Sequence, residues 1–237
     1  MQRLFIFLIL SGRAFLSCGQ QQDTSNQEDD FGDFSNHYLV PVEGYFDMYN
    51  YQHDYYSKIH SILFNGLEER PVIRFQVMPS FTPESVLDIE FDKKDNKHYL
   101  IYHICQQMIW CNPEPNRITV NKFRTEIDEK SVDLIKSLFD IAIAQVRYPK
   151  IIQSANSEEI LIPSIMLDGT SYYFTIGMIG YPLRSGYTRS PSKGTKMEKL
   201  VDIGEKLIEL AQSESEKVTL DKNLQKEIEE LTVWLKK

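Results

Sequence analysis

The stretch Leu161-Ile-Pro-Ser-Ile-Met-Leu-Asp168-Gly169-Thr170-Ser-Tyr-Tyr-Phe-Thr-Ile176, followed by Arg189-Ser190-Pro191 and Gly194-Thr195, decides how this chain is read. Two apolar runs flank Asp168-Gly169, and a primed two-residue turn needs φ > 0, which glycine supplies. The pattern predicts a hairpin turning at residues 168–169. Thr195-Lys-Met-Glu198 fits a capping box, in which the Thr195 hydroxyl accepts from a first-turn N–H and Glu198 reaches back. Beyond it, Met197, Leu200, Val201, Gly204, Leu207, Ile208 and Ala211 fall on one helical stripe. Hairpin followed by capped helix predicts a helix laid on an antiparallel sheet.

Working outward, residues 213–217 read as a hinge. Residues 218–237 read as a last helix with Leu220, Leu224, Ile228, Leu231 and Leu235 in stripe. Upstream, Val132, Ile135, Leu138, Phe139, Ala142 and Val146 predict a helix over residues 128–148, ended by Pro149. Within residues 71–124, Ile73, Phe75 and Val77 alternate with Val72, Arg74 and Gln76, and turn residues separate three further runs. That segment predicts a four-stranded antiparallel meander. Residues 38–42 fit a short first edge strand, and residues 45–65 read as a helix closed by Gly66. The fold class is therefore α+β: an antiparallel sheet of five to seven strands in residues 38–212, helices mainly on one face, plus a C-terminal helix in residues 213–237.

The amino terminus reads as an address. Arg3 precedes the apolar run of residues 4–10, which is too short to span a bilayer. Leu16-Ser17-Cys18-Gly19 follows, and here the chain resembles a bacterial lipoprotein signal, although Arg13 interrupts the apolar region. The resemblance implies a leader over residues 1–17, lipidation of Cys18 as the new amino terminus, and anchorage through acyl chains alone. Residues 18–37 are polar and acidic, and read as a tether too poor in apolar surface to fold by itself. Acids after a lipidated Cys resemble the export tags of surface lipoproteins in Bacteroidetes-type bacteria. Here they begin at Asp23, later than in that tag, so outer-membrane placement with a periplasmic or a surface-facing domain both stay open.

Composition excludes several classes. The 237 residues are 42% hydrophobic and 25% charged, which is globular usage. Formal net charge is −8, and losing Arg3 and Arg13 with a leader takes two cations away and leaves −10. An acidic chain is unsuited to neutralising phosphates, so no nucleic-acid partner is expected. It suits a protein partner of basic charge. The basic stretch Arg184, Arg189, Lys193, Lys196 and Lys199 reads as a solvated loop and first helical turn.

Candidate site residues are few. Six tyrosines fall between Tyr38 and Tyr56, and Tyr49, Tyr51, Tyr55 and Tyr56 form a candidate aromatic ligand platform. Helix tyrosines leaning half-buried on a sheet explain the same pattern. Cys105 and Cys111 are a candidate disulfide once Cys18 is lipidated. An extended six-residue span covers roughly 20 Å, so a bridge requires a bend between them. His53 and His60 stand about 10.5 Å apart along a helix, too far to share one zinc. His98 and His103 have opposite strand parity. No metal, no cofactor and no catalytic residue is expected, because no metal-ligand spacing, nucleophile elbow or phosphate loop is present.

Asp168-Gly169-Thr170-Ser-Tyr172-Tyr173-Phe174, then Ser190-Pro191 and Gly194-Thr195, resembles the C-terminal signature of small exported bacterial proteins of unknown function. It covers about a fifth of the chain and consists of turn and cap residues. The resemblance implies a shared fold and supplies no catalytic residues. The functional reading is an exported envelope lipoprotein that binds a protein partner without catalysis, of the inhibitor or immunity type. Two alternatives remain: a carboxylate-based hydrolase of envelope polymers, and a structural or assembly lipoprotein docking through residues 218–237.

Overall fold

The computed structural model describes residues 36–42, 50–110, 112–114, 117–148, 168–177 and 180–237. In chain order these form β1 (Val40–Pro41), α1 (Asn50–Ile62), β2 (Ile73–Pro79), β3 (Ser85–Asp92), β4 (Lys97–Cys105) and β5 (Val120–Ile127). There follow α2 (Glu129–Ala144), β6 (Thr170–Ile176), β7 (Arg184–Arg189), α3 (Lys196–Ala211), β8 (Lys217–Val218) and α4 (Lys222–Leu235). The fold is α+β.

The meander β2–β3–β4–β5 forms the middle of the sheet, in the order β1-β7-β6-β2-β3-β4-β5-β8. The sheet has eight strands rather than five to seven, and it is mixed: β8 runs parallel to β5, while every other neighbour is antiparallel. β1 falls at the edge expected from residues 38–42, whereas β8, at the other edge, is a two-residue strand too short to carry an alternating pattern. The hairpin also differs from its sequence reading. Both edges of β6 are taken, by β2 (Phe75 opposite Phe174) and by β7 (Phe174 opposite Gly186). Residues 161–167, the other expected arm, lie outside the described residues.

Alternation on the central strands divides the side chains between two layers. Phe75, Leu87, Leu100, Tyr102 and Phe174 face α2, α3 and α4, and form the larger core. Met78, Val86 and Cys105 face the other way, where Ile59 and Leu63 of α1 cover them with Ile109 and Ile118. Leu224, Ile228, Leu231 and Leu235 of α4 belong to the larger core, together with Val218 and Leu220 before them. Asp128, Thr195 and Asp221 cap α2, α3 and α4, each side chain accepting from a backbone N–H three residues on. Such a cap contributes about 1 kcal/mol. Glu198 completes the turn by accepting from Gly194 N at 2.9 Å.

The seat of α3 depends on Gly204, where an added Cβ would lie 2.5 Å from the Phe75 ring. Gly204→Val should therefore lift α3 off β2 and destabilise the fold by roughly 1–3 kcal/mol. A urea midpoint equal to wild type would show that α3 has no such seat.

Candidate functional site

On the α1 face, strand register sets polar side chains in a row. Ser185 lies opposite Thr175, Thr175 opposite Arg74, and Arg74 opposite Asp88. Across this row Arg74 donates from Nε to Asp88 Oδ1 at 2.8 Å and from Nη2 to Oδ2 at 2.6 Å. Nη2 also donates to the Glu68 carbonyl at 2.9 Å, and the Phe64 ring lies 4.3 Å from the guanidinium. Asp88 is 0% exposed. Burial pushes its carboxyl upward, while the Arg74 guanidinium opposes that rise. The Thr175 and Ser185 hydroxyls share a hydrogen bond at 2.9 Å.

Above the row lies a cleft of about 560 Å³. Tyr56, Ile59, Phe64, Leu67 and Leu183 make its apolar walls, while Arg74, Gln76, Thr175 and Ser185 make its floor. Glu68 and Glu69 stand at the mouth, exposed. Gln76 is 2% exposed, and its amide nitrogen meets the Met78 thioether, a weak acceptor. At the edge of the row, burial lifts the Glu90 carboxyl to about 7, helped by Asp88 and opposed by the Glu68 N–H, which donates at 2.7 Å.

A second polar cluster braces the opposite end of the sheet. Glu84, 1% exposed, accepts from the Tyr55 hydroxyl at 2.9 Å, from Ile109 N at 2.8 Å and from Trp110 N at 3.3 Å. It ties the β2–β3 turn to the β4–β5 loop and to α1. Burial, then the charge of Glu84, pushes the Tyr55 hydroxyl upward and lifts the Cys105 thiol to about 12. Such a thiol is inert.

The candidate tyrosines separate accordingly. Tyr55 is held by Glu84 and sits edge-on to Trp110, with ring centroids 4.8 Å apart. Tyr56 lines the cleft and meets the Tyr173 hydroxyl at 3.3 Å. Tyr51 belongs to α1, and its side chain lies outside those described. Cys18, Tyr49 and Cys111 lie outside the described residues. Cys105 is a free buried thiol. Gly169 has φ 138° and its carbonyl accepts from Ser80 N, which fastens the start of β6 to the end of β2. Among the described residues no group of three or more His, Cys, Asp or Glu side chains could hold a metal ion. The basic stretch is dispersed: Arg184 pairs with Asp140, and Lys196 is buried beside the Tyr38 and Trp234 rings. Sequence reasoning passed over Gln76, Glu84, Asp88 and Glu90, whose polar side chains show their environment only once register is known.

Set against protein-family models, curated proteins and solved structures, the chain matches none.

Removing one partner of the buried pair leaves an uncompensated charge. Asp88→Ala should lose about 3–5 kcal/mol in denaturant unfolding, and pairing Arg74→Met with Asp88→Leu should restore most of it. Equal losses from the single and double variants would deny the pair this role.

Glu90 makes stability depend on pH. In the unfolded chain it titrates near the ordinary 4.5, and in the fold at about 7. Between those values the folded chain holds a proton that the unfolded chain has released, so stability falls as pH rises through this window and levels off above it. Glu90→Gln should melt higher than wild type at about pH 8, and the gap should close on acidification toward about pH 4.5. A gap independent of pH would refute the assignment.

Proposed function

We propose that the protein is an exported envelope lipoprotein, anchored through Cys18, that binds a basic protein partner without catalysis. The observation that carries this reading is the cleft under α1. Its charged floor is internally matched, Arg74 by Asp88, and its hydroxyls hydrogen-bond one another. A floor of that kind favours shape and apolar contact over strong attraction of an anion. The negative charge is at the mouth, on Glu68 and Glu69, next to the apolar walls. A lysine or arginine side chain fits both features, with its stem along Phe64 and Leu67 and its head beside the carboxylates. The net charge, −8 for the whole sequence and −10 without residues 1–17, would steer such a partner from a distance.

A second reading, hydrolysis of envelope polymers, draws on Glu90, a carboxyl near 7 beside a second carboxylate. Asp88, however, is fully buried and bonded to Arg74, which keeps a substrate from it. Docking through the last helix is disfavoured because the α4 stripe is already spent on the domain's own core.

The test is affinity capture from native envelope with the full chain and with a Glu68→Lys, Glu69→Lys variant. The wild type should retain one basic protein at low salt and release it at about 0.5 M, where screening is within a few Å. The variant should retain none, with an unchanged melting temperature. Equal capture by both proteins would remove the cleft mouth from the interface.

A further inference from the structure

We propose that the end of the sheet carrying Phe81 and Trp110 is a bilayer-docking face, which sets the domain down on the membrane that holds its anchor. The inference rests on the lipoprotein reading of Cys18.

Register places several loops at one end. β2 ends at Pro79 opposite Thr170, β3 begins at Ser85 opposite Ile104, and β4 ends at Cys105 opposite Val120. β7 ends at Arg189 opposite Ser171. The β2–β3 turn, the β4–β5 loop and residues 190–195 therefore emerge together. At this same end the described chain begins. Asn36 donates from Nδ2 to Ser192 Oγ at 3.1 Å, and its Oδ1 accepts from Ser192 N at 2.6 Å. Residues 19–35 are all that separates this joint from Cys18. Whatever their path, seventeen residues reach at most roughly 60 Å. The anchor thus pulls on the domain from this end.

The same end holds out large apolar side chains. Phe81 on the β2–β3 turn is 71% exposed and Trp110 on the β4–β5 loop is 50% exposed. Their exposure is not fraying, since the buried Glu84 carboxylate holds Trp110 N, Ile109 N and Tyr55, and the Glu84 carbonyl accepts from Cys105 N at 3.0 Å. Two aromatics on braced loops are suited to the boundary between headgroups and acyl chains, where tryptophan is favoured. Charges here are mixed, Lys193 and Arg117 with Glu114 and Asp168, so aromatic insertion rather than a charged field makes the contact. The geometry has a second effect. The cleft mouth, formed by Glu68, Glu69 and Leu183, lies toward the other end of the sheet, and docking turns it away from the lipid.

The test uses the lipidated full chain carrying Trp234→Phe, which leaves Trp110 as the sole tryptophan. It is reconstituted in phosphatidylethanolamine and phosphatidylglycerol vesicles, with and without brominated acyl chains. Trp110 emission should move to shorter wavelength and be quenched about twofold by brominated lipid, and Phe81→Ser should reduce the quenching. Acylated Cys18 with water-like, unquenched Trp110 emission would overturn the docking face and leave the lipoprotein reading intact. Absence of acyl mass on Cys18, with Cys18→Ser fractionating like wild type, would overturn both.

Discussion

A carboxylate without solvent access sits in the middle of the sheet, and much of the architecture answers it. Asp88 occupies an inward position on β3, where an apolar residue would leave nothing to satisfy. Its charge is tolerable only because Arg74, directly opposite on β2, meets both oxygens. That pair fixes the register of the two central strands, since a slip of one residue would send Arg74 to the opposite face. It also prevents the α1 face from becoming a second oily layer. The larger core therefore forms on the other side, under α2, α3 and α4, while α1 covers a face that is polar at one end and apolar at the other.

This asymmetry accounts for the cleft. Near the β3–β4 end of α1, Ile59 and Leu63 pack on Met78, Val86 and Cys105, and His103 Nδ1 meets the Leu63 carbonyl at 2.8 Å. Toward β6 and β7 the sheet offers Thr175 and Ser185 instead, which give a helix little apolar surface to bury. The roof and floor separate there. Phe64 bridges the two regimes, with its ring against the Arg74 guanidinium.

What the sequence disclosed follows from the range of the forces involved. The meander and the helices were legible because each carries a period of its own: Ile73-Phe75-Val77 along β2, and Leu200-Leu207-Ala211 along α3. Strand β7 was not, because its inward positions are Gly186 and Thr188. Gly186 is required by the close approach of Val146 and Leu39 rather than by any hydrophobic pattern. The edge strand β8 was equally silent, and with it the parallel pairing of Ile127 with Val218. At the candidate site, Tyr56 could be picked out by its neighbours in sequence. Glu84 could not, since the N–H groups that bind it belong to Ile109 and Trp110, more than twenty positions away.

The placement of α4 bears on how the molecule comes into being. Leu224, Ile228, Leu231 and Leu235 complete a core whose other members begin at Leu39, and β8 joins β5 only after α2, β6, β7 and α3 have been made. Until Leu235 has left the ribosome, the sides of α2 and α3 that meet α4 have no cover, although the sheet can already hold their other sides. The contacts that close the core are thus among the most distant in sequence, which slows folding and favours late, all-or-none closure.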